Sequence, residues 1–386
     1  MSLQAIAPRL LGRAMRDGLR GASVAFAQQQ RHIGTTRVAL AGAKNGLERP
    51  NVAIAGVTGA VGVELLNCLD KRNFPFNNLK LLASARSAGK EMVFQGKKYV
   101  VEELTDDSFE DVDIALFSAG GSQSKRFAPS AVDAGCVVID NSSAFRMDPH
   151  TPLVVPEVNP EAAAHHNGII ANPNCSTIIM NVAVWPLYKL SRIRRIVAAT
   201  YQAASGAGAA AMRELEQQAV DWSAGKELKT DIFGRQYLWN LFSHNSAIDP
   251  TNGYNEEEVK MIRETKKIFT DDNLHVTATC IRVPVLRAHC EAINLTFSSP
   301  VSEEEVRAAL AAAPGVLILD DRQHNQFPEP LLASGEDDVL VGRIRPDLSQ
   351  PHGMGYELFI AGDQLLKGAA LNAVQIAELL LHPHDQ

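Results

Sequence analysis

A short apolar run, Val52-Ala53-Ile54-Ala55, passes directly into Gly56-Val57-Thr58-Gly59-Ala60-Val61-Gly62 and then into a stretch that sets Val61, Leu65, Leu66 and Leu69 on one helical face. Strand, glycine turn and helix in that order make the opening of a βαβ unit, which commits the next strands to a mostly parallel sheet. Glycines allow a backbone to approach a pyrophosphate, and the start of the helix attracts its charge. Gly56, Thr58, Gly59, Ala60, Val61 and Gly62 are the expected cofactor contacts. The spacing is G-x-x-G-x-x-G rather than G-x-G-x-x-G, so the glycines alone also fit a plain tight turn; the flanking strand and helix favour a dinucleotide.

Alternation of strands and helices continues through Leu79 to Ala83, Val112 to Phe117 and Val137 to Asp140, with a helix expected over Ser124 to Ala134. The fold class read from this is α/β, with a doubly wound, Rossmann-like domain over residues 51–174. An NAD-selective site carries an acid at the end of the second strand to bind the ribose 2′-OH. Here that strand ends in Ser84-Ala85-Arg86-Ser87. Arg86 flanked by Ser84 and Ser87 suits a 2′-phosphate, which predicts NADP; a solvated loop arginine is the plainer reading. Arg146, just beyond Asn141-Ser142-Ser143, is either an anion ligand near the strand ends or a surface charge.

Ala171-Asn-Pro-Asn-Cys-Ser-Thr177 sets Cys175 between turn-forming residues and an apolar run reaching Leu190. Free N–H groups and the positive end of a helix dipole at that point predict a lowered thiol pKa and a nucleophile; a small core residue is the alternative. A strand from Ile196 to Tyr201 delivers Gln202 ahead of a second small-residue turn, where Ser205 and Gly206 either touch a cofactor or only connect strand to helix. Alternation from His275 to Val285 presents Arg282, whose fork suits a carboxylate. Glu257 and Lys260 share one face of a helix over Glu256 to Phe269, where a surface ion pair is the simpler reading. His289 opens a strand-like run through Phe297, and a thiol nucleophile elsewhere makes it a candidate base. Cys68, Cys136, Cys175, Cys280 and Cys290 are scattered without ligand spacing, so neither a disulfide framework nor a metal site is expected.

At 386 residues, 46% hydrophobic and 21% charged, the chain has the length for two domains. Its charge is uneven. Residues 1–47 hold six arginines and Lys44 against Asp17 alone, although the chain as a whole carries −7. That amphipathic, Arg-rich, acid-poor start, with Leu3, Ile6, Leu10, Leu11 and Met15 interleaved, predicts an organelle transit peptide, for plastid or mitochondrion; a basic tail on a cytoplasmic protein is the other reading. The acidic remainder argues against a nucleic-acid partner, and no apolar run reaches the length of a membrane span.

Seven ordered segments, Gly56–Gly62, Ser84–Lys90, Asn141–Met147, Asn172–Thr177, Thr200–Gly208, Glu257–Lys260 and Ala278–His289, resemble the aspartate-β-semialdehyde dehydrogenases over roughly residues 51–383. The resemblance implies NADP-dependent, reversible reduction of L-4-aspartyl phosphate to L-aspartate-4-semialdehyde through a cysteine thioester, in lysine, threonine, methionine and isoleucine biosynthesis. It makes Cys175 the nucleophile, His289 the general acid/base and Gln202 the residue that positions the covalent intermediate. Arg282 is implied to grip the substrate carboxylate, Glu257 to meet its amino group, and Arg146 and Lys260 to bind phosphate, with Asn174 preceding the nucleophile. It further implies an α+β catalytic and dimerisation domain over 175–355 in a homodimer or homotetramer. A C-terminal segment, 356–386, is expected to return to the nucleotide domain, with Asn372 near the cofactor. Two departures stand out: Val57, where many relatives have Ala, is expected to crowd the pyrophosphate turn, and Cys290 to add a thiol near the site. The competing readings are an N-acetyl-γ-glutamyl-phosphate reductase and an inactive nucleotide-binding relative.

Overall fold

The computed structural model describes residues 48–381; the predicted transit peptide, residues 1–47, lies outside them. In chain order the first strands are β1 (Val52–Ala55), β2 (Leu79–Ala83), a hairpin of β3 (Glu91–Phe94) and β4 (Lys97–Val100), β5 (Glu102–Glu103), β6 (Ile114–Phe117), β7 (Val137–Asp140) and β8 (Ile169–Ala171). All but the hairpin form one parallel sheet in the order β5-β2-β1-β6-β7-β8. The strand order reverses direction at β1 and β6, and the crevice of such a sheet opens at that switch point.

Burial on both faces explains why these strands read as continuous apolar runs. Val52 and Ile54 point to one face, against Leu65 and Leu69 of helix α1 (Ala60–Lys71). Ala53 and Ala55 point to the other, against Phe127 and Ala131 of helix α2 (Gly121–Asp133), which runs through Pro129 without ending.

The second sheet holds β9 (Ile193–Gln202), β10 (Phe242–Ser243), β11 (His275–Arg282), β12 (His289–Phe297), β13 (Val316–Ile318), β14 (Val339–Pro346) and β15 (Gly355–Gly362), ordered β10-β11-β9-β12-β15-β14-β13 with mixed directions. Helices α3 (Cys175–Leu190) and α5 (Glu256–Phe269) cover one face, and α4 (Ala209–Ser223) lies between them in sequence. Val197, Ala199, Tyr201, Ala292 and Phe359, on the opposite face, stay half-buried. The last helix, α6 (Leu371–Leu381), packs Val374, Ile376, Ala377 and Leu380 into the core of the parallel sheet, beside α1.

One expected boundary moves. Residues 356–362 belong to β15, paired to β12 and β14, so the return to the nucleotide domain begins after Asp363 and not at 356. The closing helix opens with a π-turn over Leu366–Ala370. Among the described residues no helix is long and apolar enough to cross a membrane.

Candidate active site

Cys175 is the first residue of α3, and Asn174 caps that helix: its Oδ1 accepts the N–H groups of Ser176 at 3.0 Å and Thr177 at 3.2 Å. The cap is itself anchored by α5. Asn174 donates from its backbone N to Glu264 Oε2 at 2.6 Å and from Nδ2 to Glu257 Oε1 at 2.8 Å. Gly368 closes the other side, where a Cβ would come within 3.0 Å of the Cys175 Cβ. The thiol is half-buried at the floor of a cleft of about 390 Å³ that also exposes Arg146, Asn174, Gln202, Ser205, Gly206, Glu257, Lys260 and Arg282.

Arg282 ends β11 with only 3% of its surface exposed. It donates to Asn245 Oδ1 through Nε, to the Ala203 carbonyl through Nη1, and to His244 Nε2 through Nη2. Phe233 lies 5.9 Å from the guanidinium. Among the described residues it has no carboxylate partner, although an uncompensated buried cation is costly. Arg146 is different. Its guanidinium is paired with Glu264 at 3.2 Å and donates to the carbonyls of Asn172 and Asn141.

Glu257 accepts from Asn174, from Gln202 Nε2 at 3.2 Å and from Lys260 Nζ at 3.2 Å. Burial pushes its carboxyl up, but His244 foremost, then the Lys260 cation and the two amide donors, overcome that and bring it down to about 2. Gln202 is itself oriented by Thr200, whose hydroxyl donates to Oε1.

His289 begins β12 and is fully buried. Its Nδ1 accepts the N–H of Ala203 at 3.0 Å, so the neutral ring carries its hydrogen on Nε2. Among the described residues Nε2 has no partner, and a Cβ on Gly206 would sit 3.1 Å from it. Burial, with Arg282 nearby, lowers the ring to about 3. Ala288, just before it, holds a φ of +71°, and its N–H is tied to Gln364 Oε1 at 2.8 Å. The same Gln364 donates to Ser205 Oγ, so that side chain is engaged within the protein.

The nucleotide half is a separate cleft of about 500 Å³ lined by Gly56, Thr58, Gly59, Ser84, Ala85, Ser118 and Arg126. A dinucleotide fits these residues: a Cβ at Gly56 would lie 2.3 Å from the Ser118 carbonyl, and Gly56 itself holds a φ of +92°. Gly62 serves packing, since its Cβ would fall 2.3 Å from the Gly56 carbonyl. Ala60 starts α1, and Val61 reaches the cysteine cleft. Arg86 is exposed just beyond Ala85, while Ser87 is buried with its hydroxyl against Lys90 Nζ.

Several expectations change. The Cys175 thiol is raised to about 12, not lowered: burial dominates and Glu257 adds to it, against Arg282, Arg146 and the Ser176 N–H. Asn372 is fully buried away from the clefts, accepting from Lys367 and donating to Val154 and Asn172. Val57 is buried in the core of the parallel sheet, so it does not crowd the turn. Cys290 falls on the face of β12 opposite His289, within an apolar cluster. Sequence reading missed His244, Asn245, Glu264 and Gln364. Only Glu264 left a signal, lying seven residues after Glu257 on the same face of α5.

Residues 51–166 match the family described as semialdehyde dehydrogenase, NAD binding domain, and residues 184–367 the one described as semialdehyde dehydrogenase, dimerisation domain. An aspartate-semialdehyde dehydrogenase from Synechocystis is 57% identical over 330 residues, which is 86% of this chain and 97% of the relative. The chain belongs to the aspartate-semialdehyde dehydrogenase family. A family member from Bacillus subtilis is 46% identical over 337 residues, 86% of this chain and 97% of the relative. The Vibrio cholerae aspartate semialdehyde dehydrogenase II, solved in complex with ASA, superposes with a TM-score of 0.83 at 46% identity, covering 86% of this chain and 98% of that one. The α/β plan of a parallel nucleotide sheet joined to a mixed sheet is therefore the family's own.

A thiol raised to about 12 stays protonated in the free enzyme at neutral pH. Alkylation of Cys175 by iodoacetamide, followed by peptide mapping, is expected to be slow at pH 7 and to rise about tenfold per pH unit up to pH 10. A plateau reached by pH 8 contradicts this.

Proposed function

We propose that this chain converts L-4-aspartyl phosphate reversibly to L-aspartate-4-semialdehyde and phosphate, with NADP as cofactor, through a thioester on Cys175. The observation that carries the reading is the buried, carboxylate-free guanidinium of Arg282 in the same cleft as a cysteine thiol and an ionised Glu257. A zwitterionic amino acid complements that pair: its carboxylate meets Arg282 and its ammonium meets Glu257. Arg146 and Lys260 line the same cleft and are the proposed phosphate ligands.

Sulfur attacks the acyl carbon and the acyl–oxygen bond to phosphate breaks; the thiol proton leaves with the phosphate. Gln202 keeps the acyl group in place over Cys175. When bound, the nicotinamide supplies a hydride to the thioester carbon. His289 passes the Nε2 proton to the acyl oxygen as negative charge builds there and takes it back as the carbonyl re-forms; the carbon–sulfur bond then breaks, the aldehyde departs, and the thiolate left behind takes a proton from solvent to restore the thiol. In the opposite direction the same atom assists return of the proton.

Arg86 supports NADP over NAD, because it is exposed without an ion-pair partner among the described residues and the turn Ser84–Ser87 that directly follows β2 holds no acid. The half-buried outer face of the mixed sheet is the proposed contact in a homodimer, in keeping with the dimerisation-domain match. The basic stretch of residues 1–47 is proposed to direct the chain to an organelle.

Reduction of NADP by L-aspartate-4-semialdehyde is expected to require phosphate, and Cys175→Ala to abolish it while cofactor still binds. Activity with N-acetylglutamate semialdehyde instead shifts the reading to the sister reductase. In the same assay, Arg86→Ala is expected to raise the NADP Michaelis constant roughly tenfold to a hundredfold, with little change for NAD. An unchanged value removes Arg86 from the cofactor site.

A further inference from the structure

The proposed carboxylate grip poses a physical problem: a buried arginine must be held rigidly without being neutralised. A partner carboxylate fixes a guanidinium but also cancels its charge and competes with the substrate. Arg282 is held instead by three neutral acceptors, the Asn245 side chain, the Ala203 carbonyl and His244 Nε2, the last at 2.8 Å. Each takes one of the five guanidinium N–H groups, which leaves one on each terminal nitrogen, the fork that a carboxylate accepts from.

We propose that His244 is a positioning residue for substrate recognition, a neutral imidazole that orients Arg282 toward the substrate carboxylate while leaving its charge unspent. This rests on the aspartyl substrate proposed for the cleft. Arginine only donates, so Nε2 of His244 is the nitrogen that accepts from Nη2. Nδ1 faces Ser246 at two atoms, Oγ at 3.0 Å and the backbone N–H, which donates to it, at 3.2 Å, and the hydroxyl also accepts the N–H of Glu257 at 3.2 Å. His244 and Ser246 together thus tie the carboxylate grip to the first turn of α5, which carries the ammonium partner. Both ring nitrogens are engaged, so His244 has no atom left to hold substrate, although it lines the cleft. Burial, with Arg282 and Lys260 beside it, pushes the ring down to about 4 against the pull of Glu257, which keeps it an acceptor at neutral pH.

The test compares His244→Ala, His244→Gln and His244→Glu in the phosphate-dependent assay. Gln returns an acceptor near the position of Nε2; Glu returns one that carries a charge. His244→Ala is expected to raise the Michaelis constant for the semialdehyde about tenfold, with kcat within about threefold and the constants for phosphate and NADP unmoved. His244→Gln is expected to recover most of the binding, and His244→Glu to bind the semialdehyde no better than His244→Ala. A merely structural role predicts instead that all three constants drift together or that Glu serves as well as Gln; either result overturns the proposal. If His244→Ala does not fold, the Gln and Glu pair decides it alone. Failure of the parent protein to turn over the semialdehyde counts against the substrate reading, whereas normal parent turnover with an unmoved constant in His244→Ala counts against His244.

Discussion

Everything chemical in this molecule depends on how the turn before α3 is fastened. Asn174 stands between the two cores, capping the helix that begins with Cys175 while two carboxylates of α5 hold its backbone and its amide. A buried carboxylate accepting a backbone N–H at 2.6 Å gives a strong, directional restraint. The same Glu264 pairs with Arg146, so one side chain positions both the nucleophile turn and a proposed phosphate ligand. Loss of that restraint would free the cysteine and the anion site together.

The charges around the thiol are unequal in their pairing. Arg146 is compensated, Glu257 is ionised and partly compensated by Lys260, and Arg282 has no ion-pair partner among the described residues. The thiol is protonated in this setting because burial and Glu257 outweigh the two arginines and the helix start. Under the proposed reading, the incoming acyl phosphate completes the set: its carboxylate compensates Arg282, its ammonium compensates Glu257, and its leaving group removes the sulfur's proton.

Much of the plan was legible in the sequence where a local pattern decides structure. The helix over Glu256–Phe269 and the strand opening at His289 fall where periodicity puts them, and Cys175 begins its helix where the Asn-Pro-Asn turn requires. The glycine turn was readable because only glycine fits against the Ser118 carbonyl. What was hidden depends on contacts distant in the chain. Glu264 meets Asn174 across 90 residues, and His244 meets Arg282 across 38. No local pattern marks a neutral imidazole as the partner of an arginine. The thiol pKa went the wrong way for a related reason: a helix start is visible in sequence, but the depth at which it is buried is not. Residues 356–362 likewise read as part of a tail until pairing with β12 and β14 places them in the mixed sheet.

The most direct test of the central claim is to trap the covalent intermediate. The protein is mixed with L-aspartate-4-semialdehyde and NADP without phosphate, quenched, and mapped by peptide mass spectrometry. The account predicts an aspartyl thioester on the peptide containing Cys175, formed together with one equivalent of reduced cofactor and discharged when phosphate is added. Stoichiometric cofactor reduction with no adduct on Cys175, or with the adduct on another cysteine, contradicts it.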